Sequence, residues 1–467
     1  MKRYLTLITI SIIFSCHILG LETEPNIQNS SSANQQGADI TILTSRIDDL
    51  QAQIDSLSAI TCRQNGKTKR FSIGGYGEAV FTRNFYSDKY LRYTDAETYK
   101  NDRSHGRFDL PHVVIWMGYD FGKGWSLGTE IEFEHGGVEA AVEIEEEEAG
   151  EYETEVERGG EVALEQFWLN KEFLKGKLNI KAGHIIVPVG SVNMYHLPTQ
   201  FFTNYRPLGE FTILPCTWHE TGISVWGQTK QWRYEVCFIP GLDSDRFGRQ
   251  GWIHDGAGSP YEFKIANNYA GAFRIDNFSL RGLRLSLSGY IGNSFRNSLS
   301  TTDNEKYKGV RGTVAIGAFD FYYSGHNTIL RGNFDYGHLS DSEAITRYNM
   351  AMRKDSPSPK QAVASDALST GTEAGYNFFG LSSNPKIRAQ QLWIFARYEY
   401  FDSMFKTRGS IQDYKWTARH QIAAGVNYYP IRDVTVKADF HIGILDKRYN
   451  NEPAISIGVA YSGLFKL

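Results

Sequence analysis

From Phe71 onward the chain alternates apolar and polar residues. Val434, Val436, Ala438, Phe440, Ile442 and Ile444 are interleaved with Thr435, Lys437, Asp439, His441 and Gly443. Leu283, Leu285 and Leu287 alternate with Arg284, Ser286 and Ser288, and Leu127, Ile131 and Phe133 oppose Glu130, Glu132 and Glu134. A period of two predicts strands with one apolar and one polar or charged face. The last segment, PAISIGVAYSGLFKL, places Ile455, Ile457, Val459, Tyr461, Phe465 and Leu467 on the apolar side. Terminal residues of a soluble sheet are usually frayed and polar, so this strand implies an apolar medium beyond the sheet.

About sixteen strand-like segments can be counted, and their connections are unequal. Short links such as Phe121 to Trp125, Lys175 to Lys177 and Tyr429 to Asp433 alternate with long ones such as Pro188 to Trp218 and Leu339 to Thr370. Short and long connections at opposite ends of an even number of strands predict an all-β fold, a transmembrane antiparallel β-barrel of about 16 strands. Closure is required because an open edge in hydrocarbon leaves backbone groups unpaired, and a barrel facing lipid needs no separate apolar core. Aromatics near segment ends are expected to form interfacial girdles: Phe81, Phe85 and Tyr86; Tyr119, Phe121 and Trp125; Tyr398, Tyr400 and Phe401; Tyr428 and Tyr429.

Ahead of the barrel the pattern differs. Lys2 and Arg3 precede an apolar run from Tyr4 to Leu19, which reads as a secretory signal over residues 1–20. Residues 21–39 read as a polar linker. Ile40, Leu43, Ile47, Leu50, Ile54 and Leu57 fall on alternating steps of three and four, predicting a short coiled-coil helix over residues 40–60 that associates with copies of itself. Ile at a and Leu at d lean towards a dimer, whereas the run from Arg46 to Gln51 is similar to a trimerisation pattern. Residues 61–70 would be a hinge and 71–467 the barrel. Composition agrees: 41% hydrophobic residues with a mean hydropathy of -0.39 leave no room for a helical membrane bundle. A net charge of -4 predicts no nucleic-acid partner. Cys216 and Cys237 are either a pair or two unpaired small residues.

Three stretches, FDLPHVVIWMGYDFGKGWSLGTEIEFEHGG, KLNIKAGHIIVPVGSVNMYHLP and YRPLGEFTILPCTWHETGISVWG, resemble the phosphate-selective porin O/P family, especially its Bacteroidetes members. The resemblance runs from Phe71 to Pro240 and implies a sixteen-stranded homotrimer with a loop folded into the lumen. It places the chain in the outer membrane of a Gram-negative bacterium, with the N-terminal helix in the periplasm. The expected partners are outer-membrane lipid, small hydrophilic solutes or ions, and the barrel-assembly machinery through the C-terminal strand. The chain departs from the family in ending on Leu467 and in carrying an acidic insertion.

If apolar residues face lipid, the basic pore-lining candidates are Lys181, Arg233, Arg274, Arg284, Arg311, Arg331, Arg397, Arg419 and Lys437. The acidic ones are Glu78, Glu130, Glu132 and Glu134, with Glu235, Asp276, Asp335, Glu399 and Asp439 also inward. Acids dominate the first strands, and Arg274, Arg284, Arg311 and Arg331 are expected on four consecutive later strands. That order predicts a transverse field across the lumen. The candidate constriction is Pro188 to Trp218, stiffened by four prolines and charged by His196, Arg206 and Glu210. Glu143 to Glu165 holds eleven Glu and reads as a solvated hairpin turning at Ala149-Gly150. The expectation is a passive porin; the alternatives are a channel specific for phosphate, other anions or oligosaccharides, and a structural or adhesive outer-membrane protein. No cofactor and no metal site are predicted. No enzyme is expected either, since His420 and His441 have no Ser in a recognisable motif.

Overall fold

The computed structural model describes residues 70–465, apart from 141–142, 145–153, 156–157, 259–262, 298–304 and 352–361. The expected signal, linker, coiled-coil helix and hinge up to residue 69 lie outside the described residues, and with them Ile40, Leu43, Ile47, Leu50, Ile54 and Leu57.

The strands are β1 (Phe71–Asn84), β2 (Gly106–Asp109), β3 (His112–Gly122), β4 (Trp125–Ala140), β5 (Glu143–Ile144), β6 (Thr154–Glu155), β7 (Arg158–Phe173), β8 (Leu178–Ile186), β9 (His219–Gln228) and β10 (Trp232–Pro240). They continue with β11 (Tyr269–Asn277), β12 (Leu283–Asn293), β13 (Thr313–Gly325), β14 (Thr328–Leu339), β15 (Asp366–Asn377), β16 (Gln391–Lys406), β17 (Ala418–Ile431), β18 (Val434–Ile444) and β19 (Ala454–Phe465). Among the described residues β5 and β6 pair only with each other, and the expected turn at Ala149-Gly150 lies outside the described residues. β2 and β3 both pair with β1 and occupy one position in the wall, interrupted where Pro111 has no N–H to give to the ladder. The result is sixteen antiparallel positions, each strand beside its sequence neighbour. β19 closes on β1 from Ile73 opposite Phe465 to Asn84 opposite Ala454. The barrel sheet thus has no open edge among the described residues.

Short turns lie at one rim, together with the start of β1 and the end of β19. At the β3–β4 turn, Gly122, Lys123 and Gly124 all have positive φ (84, 55 and 77°), and two of the three positions are glycine, the residue that adopts this region without steric cost. The outer face is an apolar band: Val236, Phe238, Leu287, Ile291 and Ile457 are each more than half exposed. A band of this extent is out of place in water and suits hydrocarbon. Phe121, Trp125 and Phe173 are exposed near the short-turn rim, while Phe238 stacks on Tyr269 near the other, at 5.1 Å. Two expected girdle residues face the other way. Phe401 and Tyr429 take inward positions in the alternation of β16 and β17, and both are buried.

The interior differs from the expectation that no core is needed. Segments 187–218 and 241–258 leave the wall and pack inside it. They bring Ile213, Trp218, Phe247 and Trp252 against Trp168, Ile239, Tyr290, Leu339 and Met404 of the strands. Trp252 Nε1 donates to the Ala364 carbonyl at 3.2 Å, and its ring occupies the place a Cβ on Gly337 would take. The apolar inward residues near the long-connection rim are therefore covered by loops. Cys216 and Cys237 are both unpaired.

Candidate functional site: the lumen and the segment that crosses it

Residues 187–218 cross the barrel, and the bonds they make define the route. The Gly190 N–H donates to Ser288 Oγ at 3.1 Å, and its carbonyl accepts from Arg274 Nη1 at 2.9 Å. Tyr195 lies under the Arg284 guanidinium, 3.6 Å from the ring centre. Leu197 then reaches Tyr76 and Val114 on the far wall. Lys437 Nζ donates to the carbonyls of Phe201 (3.1 Å) and Thr203 (2.8 Å), and Asp439 Oδ2 accepts from the Asn204 N–H at 2.8 Å. The Phe202 ring packs on Trp393 and Phe395. Finally the Gly209 N–H, in the short helix Leu208–Ile213, donates to Glu399 Oε1 at 2.9 Å. One segment thus touches β1, β3, β11, β12, β16 and β18.

The three candidate constriction residues behave differently. Glu210 folds the segment on itself: its carboxylate accepts from the N–H groups of Ser191 (2.9 Å), Val192 (2.7 Å) and Asn193 (3.3 Å). Burial pushes this carboxyl up to about 7 against the lowering pull of those bonds. Arg206 is buried with Nη2 3.9 Å from Glu132 Oε1. Burial, and after it Arg206, lower the His196 imidazole to about 4, although Glu165 pulls it the other way.

The wall charges sit largely inside, in locally closed pairs. Lys181 and Arg233 flank Glu235 at 3.2 and 2.7 Å. Arg274 bridges Asp276 (2.8 Å) and Asp320 (2.9 Å), and Arg284 joins Asp320 at 2.9 Å. Arg331 meets Glu373 at 2.7 Å, and Arg397 meets Glu399 at 3.0 Å. Arg311 lies elsewhere, exposed in the connection ahead of β13. Arg419 opens β17 and pairs with Glu452 at 3.4 Å. Asp320 and Glu373, which close two of these groups, escaped the sequence reading, although Asp320 between Phe319 and Phe321 carries the alternation signal.

The acids of the early strands gather instead of dispersing. Glu130, Glu132 and Glu134 follow one another along β4, opposite Gln166 of β7 and His112 of β3. His112 Nδ1 lies 2.6 Å from Glu78 Oε1. Glu165, assigned by sequence to the hairpin, is deep in the wall and accepts from the Thr217 hydroxyl. Two trios, His112/Glu132/Glu134 and Glu130/Glu165/His196, each bring one donor atom per residue within 4.8 Å of the others.

Towards the long-connection rim a cavity of about 350 Å³ is lined by Asp88, Tyr90, Arg92, Tyr93, Phe401, Trp416 and Arg419, among others. Tyr93 and Trp416 stack at 4.7 Å, and Glu452 ties Arg92 (2.8 Å), Arg419 and the Tyr93 hydroxyl together.

The closed sixteen-strand up-and-down barrel, apolar outside and charged inside, defines the class: a transmembrane β-barrel. No protein-family model matches the chain. An uncharacterized protein of Aquifex aeolicus (strain VF5) is 26% identical over 373 residues, covering 80% of this chain and 75% of that one. Among solved structures, Salmonella typhi OmpF in complex with daunomycin aligns over 84% of this chain and 97% of its own, at 11% identity and a TM-score of 0.49. The anion-selective porin from Comamonas acidovorans aligns over 84% and 98%, at 10% identity and a TM-score of 0.44.

Proposed function

We propose that the chain is an outer-membrane porin of a Gram-negative bacterium, through which small hydrophilic solutes and ions diffuse passively. The observation that carries this reading is a closed barrel with an apolar outer band whose lumen is crossed by a segment bonded to several walls. The segment narrows the passage and sets which charges a solute meets. Inward polar atoms such as both side-chain atoms of Asn427 and the Thr435 hydroxyl have no protein partner and require hydration, as a wet interior supplies. Association through residues 40–60, a trimer, and insertion by the barrel-assembly machinery through β19 belong to the same proposal.

A second reading is favoured by the cavity at the long-connection rim. Arg92, Arg419, Asp88 and Tyr90 surround a space fit for one small polar ring or anion, which suits a channel that prefers anionic or carbohydrate solutes. Membership of the phosphate-selective porin O/P family rests on the three quoted stretches. Against an anion preference stand the carboxylates that close Arg233, Arg274, Arg284, Arg331 and Arg397 in the wall. Purified protein in planar bilayers tests the main reading. Stepwise, non-rectifying conductance that rises with salt is expected, and a folded protein that inserts without conducting would overturn it. Conductance blocked by one solute class at low concentration would favour the specific channel.

A further inference from the structure

We propose that Glu130, Glu165 and His196 bind one divalent first-row transition-metal ion where the crossing segment meets the wall of β4 and β7. Their donor atoms lie within 4.8 Å of one another, so one ion with bonds of roughly 2.0–2.2 Å can reach all three after small side-chain shifts. All three side chains are buried, at 1, 2 and 2% exposure.

The decisive group is His196. Its Nδ1–H donates to the Asn193 carbonyl at 2.8 Å, which leaves the lone pair on Nε2, and Nε2 is buried with no hydrogen-bond partner. A histidine that ligates a metal is held in this way, one nitrogen on a carbonyl and the other free for the ion. Glu165 follows the same logic, with one oxygen accepting from Thr217 and Oε2 unpartnered. Glu130 accepts from the Gln166 amide, which is itself held by Trp168 Nε1 at 3.3 Å. Each ligand is therefore oriented by an outer group.

Charge points the same way. Glu130, Glu132 and Glu165 are buried together, and the guanidinium beside them, that of Arg206, comes only to 3.9 Å of Glu132. A divalent cation offsets the excess. One imidazole with two carboxylates suits Zn²⁺ or Mn²⁺ better than Ca²⁺, which takes six to eight oxygens. The trio His112/Glu132/Glu134 lies further along β4 towards the long-connection rim and shares no residue with the proposed site. A bound ion would tie the crossing segment to the wall of β4 and β7.

The test is calorimetric titration of Zn²⁺ into EDTA-stripped full-length protein in detergent, with metal content read after dialysis. One Zn²⁺ per chain is expected. Glu165→Gln and His196→Ala should each weaken binding by at least about 100-fold, and Gln166→Leu by roughly 10–100-fold. His112→Gln should leave the affinity unchanged. Glu165→Gln keeps the shape of the side chain, so a folding failure of His196→Ala leaves the test intact. Folded wild-type protein that takes up no metal, affinity unchanged in Glu165→Gln, or loss confined to His112→Gln would each overturn the proposal.

Discussion

Glu165 and Gln166 are adjacent in the chain, yet both side chains point into the barrel, each 2% exposed. The ladder passes from Glu130 opposite Gln166 to Ile131 opposite Leu164, so Glu165 is the extra residue of a bulge. Above it Val162 and Leu164 face outward, and below it so do Phe167 and Leu169. Deleting Glu165 therefore restores unbroken alternation, whereas deleting Leu287 of β12, whose two ladders carry no bulge to absorb the loss, inverts every side chain on one side of the gap. The first variant is expected to fold into a heat-modifiable barrel in detergent and the second to fail. Equal behaviour would show that the bulge is not what sets the register of β7.

Outward positions give the second prediction. Val459 lies midway along β19, is 47% exposed, and pairs with Ala79 and Val436. A lysine there should cost about 2–4 kcal/mol of folding in lipid, while Val459→Phe should cost little. Ser456 is not the harmless inward counterpart that an empty lumen would make it. It is fully buried and lies 3.1 Å from the Thr82 hydroxyl, so Ser456→Lys should also be damaging. Urea titration of vesicle-bound protein separates the three variants.

These two cases mark what could be read in the sequence. Alternation showed strand number, facing and closure, because in lipid the apolar side of each strand is written at every second residue. The length and four prolines of residues 188–218 marked them as a candidate constriction, but alternation could not say whether they fold inward or stay outside. Alternation missed Glu165, because a bulge adds a residue without a compositional mark and a run of Glu disguised it. Arg311 was misplaced since β13 begins only at Thr313. Phe401 and Tyr429 look like girdle residues by composition, and only register shows that they face inward.

The crossing segment is expected to loosen when its anchors go. Asp439 accepts two bonds from Asn204, from the N–H at 2.8 Å and the side-chain amide at 2.6 Å, and no other described wall residue bonds this residue. Asp439→Ala leaves both donors unpaired, at about 1–3 kcal/mol each if they stay buried. Larger single-channel conductance with more open-channel noise should follow. Unchanged records would mean that the segment does not limit the passage.

Acid should open the rim around Glu452. Burial alone raises this carboxyl, but Arg419 and Arg92, with the Tyr93 and Arg92 hydrogen bonds, hold it below its ordinary 4.5. A depressed carboxyl adds stability that is present above the unfolded value and is lost as pH falls through the folded one. Protection factors in residues 445–453, taken relative to the intrinsic exchange rate at each pH, should fall as pH drops below the ordinary 4.5, and Glu452→Gln should show low protection already at neutral pH with little further loss in acid. Protection that persists in acid would show that the ion pairs do not hold the rim.

Selectivity is where pairing matters most. Arg274 is fully buried between Asp276 and Asp320, so Arg274→Gln leaves these carboxylates only Arg233 (3.6 Å) and Arg284 (2.9 Å) and should cost up to roughly 3–5 kcal/mol, reading as a folding defect. Arg284 and Arg331 are partly exposed, at 10 and 18% of the side chain, and remain within reach of a passing ion. Replacing both with Gln should move the reversal potential in a salt gradient towards cation preference, and Glu134→Gln should move it the other way. Arg311→Gln should do little at about 0.1 M salt or above, because Arg311 is exposed in the connection ahead of β13 and the Debye length there is about 10 Å. Should Arg206→Gln alone shift the potential while the Arg284/Arg331 pair does not, the wall arginines would be structural and the crossing segment would carry the selectivity.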